Sequence, residues 1–350
     1  MVLRIKTRCM SSYSIDALRL LDLYRLMRRI REFENAAEVA SQGGVAAWGL
    51  AASSKPALVR GPLHLSTGQE AVAAGVCHNL QRADLLTSTH RGHGHTLAKG
   101  ADATKMMCEL FGRATGYNKG KGGSMHIADF SVGMLGANGV VAAGIPIATG
   151  AAHALKIRKQ ANVVACFFGD GATNRGPFLE GLNWAQVYQL PILFVCEDNR
   201  ISATTPTPAM TAGAGAFARA QAMGIPSEHV DGNDVEAVDT AAKKMLVKIR
   251  AGGGPRFLQA VTYRFKGHVS VDPGTYRDAK EVAAALLKDP LVVAKAKLAS
   301  LGVPDADIAA VDAEVKGEID AALQTAEAAP WPVVSDAYED IMTTGAGVWL

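Results

Sequence analysis

Several things are scarce in this sequence, and each shortage closes off a class of protein. There are five cysteines in 350 residues, and no two form a CxxC pair. Cys9, Cys77, Cys108, Cys166 and Cys196 lie too far apart for a thiolate metal site. Their odd number argues against a disulfide framework, so reduced thiols in a cytoplasmic compartment are expected. Neither sign of charge is in excess: 36 Lys and Arg face 33 Asp and Glu, a net charge of +3. That balance gives no electrostatic footprint for nucleic acid, and no nucleic-acid partner is expected. Long apolar runs are missing too. The most apolar stretch, 140–155, is broken by Gly144, Pro146 and Gly150 and carries His153, so a buried helix is expected there and no membrane span. No GxxxxGK[ST] occurs, and GDGATNRG (169–176) lacks the GxGxxG spacing, which sets aside the common nucleotide-binding loops. Acidic residues are absent before Asp16; the basic segment 1–14 lacks the apolar core of a secretory signal and reads as a flexible N-terminal arm.

What remains is globular: 49% hydrophobic and 20% charged residues exclude wholesale disorder. Glycine is the abundant residue, 36 of 350 against a usual ~7%. It clusters at 43–50, 92–123, 133–150, 169–176 and 252–254. Such clusters mark tight turns, or backbone that something must approach closely.

Apolar spacing predicts a long amphipathic helix over 15–41, with Ser14 and Asp16 as candidate caps. Further helices are expected at 68–80, 102–113, after Pro146, 177–189, 234–251 and through the Ala/Lys/Glu-rich tail 279–327. The segments 42–62 and 114–139 read as loops. Three apolar runs of strand length, 163–168, 192–196 and 256–263, alternate with helices. Runs apolar throughout and joined by helices indicate parallel strands covered on both faces. One α/β domain over 15–350, with helical N- and C-terminal extensions, is the simplest account.

Asp170 and Asn199 stand 29 residues apart, at the ends of the first two runs. A βαβ crossover would bring them to neighbouring carboxyl ends of one sheet, where open α/β sheets bind ligands. Alone, Gly169-Asp170-Gly171 would be only a turn. With an amide at the next strand end it suits Mg²⁺, a hard cation that takes its remaining ligands from phosphate and water. Gly169, Gly171 and Gly176 would let backbone amides reach that phosphate.

With these residues in place the chain resembles the alpha subunit of the two-chain, thiamin diphosphate-dependent first component of 2-oxo acid and acetoin dehydrogenase complexes. HLSTGQEA (64–71), STHRGHGHTLAKG (88–100), GKGGSMHIAD (120–129), GANGVVAAGIP (136–146) and YRFKGHVSVDPGTYR (263–277) match family blocks in order around GDGATNRG. The resemblance implies a three-layer α/β/α thiamin diphosphate-binding fold with a mainly parallel central sheet. It also implies two cofactors, thiamin diphosphate and Mg²⁺. Asp170, the Asn199 side chain and the Ile201 carbonyl would hold the metal. Arg91, with His90 beside it, would grip the diphosphate, helped by the amides of Gly171 and Ala172. Gly139 and Val141 would meet the aminopyrimidine. His64 and His268 would serve the reaction centre, with His126 a further catalytic candidate. His90, His93 and His95 lack the carboxylate support of a metal cluster.

The implied activity is cleavage of the C–C bond next to a carbonyl, in acetoin or in a 2-oxo acid such as pyruvate. The acyl group would pass to a lipoyl-bearing acyltransferase. The implied partner is a beta subunit, in an α₂β₂ assembly. His90 and SMHIAD (124–129) lean toward the acetoin type. A catalytically silent scaffold of the same fold is the remaining alternative. The chain departs from the family pattern at His90, where Tyr is common, at Asp198, where Asn is common, and at Lys266, where His is common. Val269 stands where mitochondrial pyruvate-type enzymes carry a regulatory serine, with Ser270 adjacent. Residues 264–278 are expected to be a loop that orders over the cofactor.

Overall fold

A computed structural model describes residues 13–43, 56–59 and 61–340. Residues 1–12 of the arm expected over 1–14, Cys9 and all but the first residue of the Gly-rich 43–50 segment lie outside the described residues. In chain order the elements are α1 (Ile15–Ser41), α2 (Glu70–Cys77), β1 (Leu85–Thr87), α3 (His93–Ala98), α4 (Ala103–Leu110), β2 (Met134–Gly136), α5 (Gly144–Ile157), β3 (Val164–Gly169), α6 (Gly176–Val187), β4 (Ile192–Asp198), β5 (Ile201–Ser202), β6 (Thr205–Pro206), α7 (Gly215–Ala222), β7 (Ser227–Asp231), α8 (Val235–Arg250), β8 (Arg256–Val261), α9 (Ala279–Leu286), α10 (Pro290–Ser300) and α11 (Asp305–Ala328).

Six strands form one sheet in the order β2-β1-β3-β4-β8-β7, and every pair is parallel. Strands β3 and β4 are apolar almost throughout because helices cover both faces, as parallel sheets require. Their side chains alternate accordingly. Ala165, Phe167, Leu193 and Val195 join one core with α1 to α4, α8 and α11. Cys166, Phe168, Ile192 and Phe194 join the other with α5, α6 and α7. The three layers are those the resemblance implies. Burial of each large aliphatic or aromatic side chain here contributes about 1.5–3 kcal/mol.

A third apolar cluster joins Leu20, Leu23 and Met27 of α1 to Leu291 and Leu298 of α10 and Val311 and Val315 of α11. The terminal helices therefore pack on each other as well as on the sheet. Ser14 caps α1, its hydroxyl accepting from the Ala17 amide at 3.1 Å.

The helices and strands expected from apolar spacing are present, with ends shifted by a few residues. Strand β4 runs on through Glu197 and Asp198, whose side chains are buried by polar partners. Seven elements escaped the sequence reading, two of them the two-residue strands β5 and β6. Strands β1 and β2 are three residues each, β2 lying within the segment read as loop. Strand β7 is largely polar and lies at the sheet edge. Helices α3 and α7 contain glycine or alanine without an apolar stripe.

Chain direction locates the functional end. Strand β1 sends its connection toward β2, while its neighbour β3 sends its own toward β4. Between such strands the crossovers part and leave a crevice at the carboxyl ends.

Candidate active site

The cavity at this switch point is walled by three strand exits: Ser88 to Arg91 after β1, Gly169 to Ala172 after β3, and Glu197, Asn199 and Ile201 at the end of β4 and beyond. Val140 to Ala142, Arg264 and His268 also line it, whereas His64 and Gly139 do not.

One side is cationic. Arg91 is buried, and its guanidinium donates to the carbonyls of Leu65 (2.7 Å) and His268 (2.9 Å). Arg264 is also buried and donates to the Ala203 carbonyl at 3.1 Å. Among the described residues neither forms an ion pair. Burial, then the charge of Arg264, pushes Arg91 down to about 9. Burial, then the charge of Arg277, likewise lowers Arg264. Two desolvated guanidiniums without carboxylates suit an anion with several oxygens.

The facing side is acidic. Asp170 is buried at the end of β3 and accepts from the Thr207 hydroxyl. Burial raises its pKa above the ordinary carboxylate range; the Thr207 bond opposes this and Asp198 adds to it. A cation would relieve that cost. The Asn199 amide donates to Gln69 Oε1 at 2.7 Å, which turns its oxygen toward the Ile201 amide (3.2 Å). Asp170, Asn199 and Ile201 line the same cavity. Asp198, one residue earlier, points elsewhere: Gln259 donates to it at 2.6 Å and Arg200 pairs with it at 3.2 Å. Gly171 is required sterically, since a Cβ there would lie 2.3 Å from Ser202 Oγ.

His64, His90 and His268 come together, with ring centroids 4.6, 5.0 and 5.9 Å apart. Burial followed by the Arg91 charge pushes them down to about 3, 2 and 4, so all three are neutral imidazoles at neutral pH. Their nitrogens lie within 4.8 Å of one another. Two adjacent guanidiniums nevertheless make the trio a poor seat for a metal cation, and its chemistry is that of neutral donors and acceptors. His126 is exposed and does not line the cavity, against the expectation of a catalytic role. Gly139 lies next to it: a Cβ there would stand 3.7 Å from the His126 ring. Val140 and Val141 remain 66% and 47% exposed at the cavity rim.

His93 and His95 turn away from this trio. His93 lies between Glu34 (3.3 Å) and Ser124 Oγ (2.9 Å). His95 is buried between Ser88 Oγ (2.7 Å) and Glu197 Oε1 (3.1 Å), stacked on Phe167 at 4.0 Å. Sequence reading missed Ser88, Glu197, Gln69 and Arg264. Gln69, Ser88 and Arg264 stand in the matched blocks, a signal that could have found them; Glu197 carried none.

Two departures gain physical accounts. Lys266 pairs at 2.7 Å with the buried carboxylate of Glu38, a partner that a neutral histidine would not neutralise. Ser270 is buried, its amide donating to the Leu63 carbonyl at 2.8 Å and its hydroxyl against Ser41. The segment 264–277 is stitched down by Arg277, which donates to the Lys266 carbonyl at 2.7 Å, and by Asp272, which accepts from the Gly274 amide at 2.9 Å. Glycines 120, 122 and 123 turn their amides inward. Their loop wraps the buried Glu109 carboxylate, which accepts from the amides of Asn118, Gly120, Gly122 and Gly123 at 2.7–3.0 Å.

Residues 49–335 match the family model described as "Dehydrogenase E1 component". The alpha subunit of acetoin:2,6-dichlorophenolindophenol oxidoreductase from Bacillus subtilis is 41% identical over 321 residues, 91% of this chain and 92% of its own length. The subunit of the same name from Cupriavidus necator is 42% identical, over 93% of this chain and 95% of its own. The pyruvate dehydrogenase E1 component subunit alpha of Zymomonas mobilis is 38% identical, over 94% and 90%.

Proposed function

The chain belongs to the dehydrogenase E1 component family, and from that premise we propose that it is the alpha subunit of a thiamin diphosphate- and Mg²⁺-dependent enzyme that cleaves acetoin. The observation that carries the reading is the pairing of two walls in one cavity. Arg91 and Arg264 are buried cations without carboxylates, and Asp170 is a desolvated carboxylate beside the Asn199 amide. A diphosphate with its divalent cation answers both costs at once. Asp170, Asn199 and the Ile201 carbonyl would hold the Mg²⁺. Arg91, His90 and the backbone at 169–172 would hold the diphosphate. Gly139 and Val141 would border the pyrimidine. When bound, thiamin diphosphate supplies an electron sink for the bond-breaking step. His64 and His268, neutral and close together, would hold and pass protons at the reacting carbonyl and hydroxyl. His126 is given no part.

Exposed Val140 and Val141 at the rim support a second chain covering the cavity. So do Ile147, Leu179, Trp184 and Val187 on the outer surfaces of α5 and α6. We assign that role to a beta subunit in an α₂β₂ assembly. A lipoyl-bearing acyltransferase would be the acceptor of the acyl group. Residues 15–350 are read as one domain. No helix among the described residues is long and apolar enough to cross a membrane, and the cytoplasm is the proposed compartment. The acetoin-type relatives, at 41% and 42% identity, favour acetoin as substrate. The 38% identity to a pyruvate dehydrogenase subunit supports pyruvate as the second reading.

The test is reduction of 2,6-dichlorophenolindophenol by the chain combined with its beta subunit, with acetoin or pyruvate as substrate. Turnover of acetoin by the pair and none by either chain alone is expected. Activity of the isolated chain, or a pair inert toward both substrates, would overturn the reading.

A further inference from the structure

Below the cavity wall lies a hydrogen-bonded chain that the proposed chemistry does not use. Ser88, His95 and Glu197 are all buried, and Ser88 and Glu197 also line the cavity. The directions of the two bonds follow from donor chemistry. The Glu197 carboxylate only accepts, so His95 Nε2 must donate to it (3.1 Å). With a single ring proton on His95, its other nitrogen is an acceptor and Ser88 Oγ–H donates to His95 Nδ1 (2.7 Å). The ring cannot turn to another arrangement easily. It is stacked on Phe167 at 4.0 Å and lies in α3. That arrangement commits the single proton of Ser88 inward and leaves only oxygen lone pairs for the cavity.

We propose that His95 is a positioning residue that fixes Ser88 as a hydrogen-bond acceptor, and that Ser88 selects a substrate bearing a hydroxyl donor. This rests on the hydroxy-ketone reading given above and deepens it. An uncharged hydroxy ketone offers one O–H next to its carbonyl. A 2-oxo acid offers only acceptor oxygens and a negative charge there. Lone pairs of Ser88 and the carboxylate of Glu197 on the same wall favour the first and oppose the second. A site built to receive a donor discriminates strongly against a molecule lacking it, because a buried polar group is left unpaired.

The experiment compares kcat/KM for acetoin and for pyruvate in the complex of this chain with its beta subunit. Ser88→Ala removes the acceptor, and His95→Leu releases the Ser88 proton to the cavity. Each is expected to lower the acetoin value about tenfold relative to the pyruvate value. His95→Gln, whose amide can donate to Glu197 and accept from Ser88, is expected to keep most of the wild-type ratio. Histidine ¹⁵N spectra of the full chain give a readout independent of turnover. They are expected to show His95 protonated at Nε2 and bare at Nδ1. Should His95→Leu fail to fold, Ser88→Ala, a change of one atom, carries the comparison. Acetoin turnover with an unchanged substrate ratio in Ser88→Ala, or a proton on His95 Nδ1, overturns the inference. A wild-type complex that turns over pyruvate and no acetoin overturns the hydroxy-ketone reading itself, and with it the role in selection.

Discussion

Three neutral histidines beside an arginine, one buried and two half-buried, make stability depend on pH, and His90 gives the cleanest case. Its pKa is depressed from 6.5 to about 2 by burial and then by Arg91. In the unfolded chain it titrates near 6.5. The unfolded state therefore binds the proton first, and stability present above pH 6.5 is lost as pH falls. The cost at pH 5 is RT ln(1 + 10^1.5), about 2 kcal/mol. This figure does not depend on how far below 5 the folded value lies. His64 adds a similar amount, since it is pushed down to about 3, and the less buried His268 adds somewhat less. Together they remove about 5 kcal/mol, a large share of a typical domain's 5–15 kcal/mol. His90→Gln deletes one such contribution while keeping a polar side chain. Urea unfolding of the wild type and the variant at pH 8 and pH 5 measures it, because every other titrating group cancels in the difference. The variant is expected to gain about 2 kcal/mol on the wild type between the two pH values, about 3 °C in Tm for a chain of this size. Parallel pH profiles for the two proteins would refute the reasoning and show that His90 protonates freely in the fold.

Two further outcomes follow from the same geometry. Asp170→Asn in the complex with its beta subunit is expected to weaken Mg²⁺-dependent thiamin diphosphate binding about a hundredfold, roughly 3 kcal/mol, measured by calorimetry. Unchanged affinity would remove Asp170 from the metal site. Glu109→Gln replaces an acceptor of four backbone amides with a group that must turn a donor toward some of them. A loss of about 3 kcal/mol and new protease cleavage within 113–123 are expected; a loss under about 1 kcal/mol would show that the loop holds without the carboxylate.

How much was legible depended on the range of the interactions. The long helix over 15–41 was readable because its buried positions repeat at helical spacing and Ser14 caps it locally. Strands β3 and β4 were readable because they are covered on both faces and so apolar throughout. Strands β1 and β2 were not, because three residues carry no period and exist only by pairing with β3 and with each other. His126 shows the limit within the site. It stands in a motif beside Gly and basic residues, yet the loop wrapped around Glu109 leaves it exposed and off the cavity. The glycine excess divides in the same way: Gly171 stands against Ser202 at the cavity, whereas Gly120 and Gly122 serve a carboxylate of the protein itself.

Through the family resemblance the sequence offered Arg91, His64 and His268 as site candidates; by itself it determined the layered α/β class and the βαβ unit that carries Asp170 and Asn199 to one edge. These rest on local periodicity, or on one crossover whose handedness chain chirality dictates. Only the tertiary structure decided that Arg264 joins Arg91 as a second unpaired cation and that His90 completes a neutral trio. It likewise brought Ser88, His95 and Glu197 into one hydrogen-bonded chain. Those residues lie up to 204 positions apart, from His64 to His268, and burial and neighbours that no local spacing encodes set the environment of each.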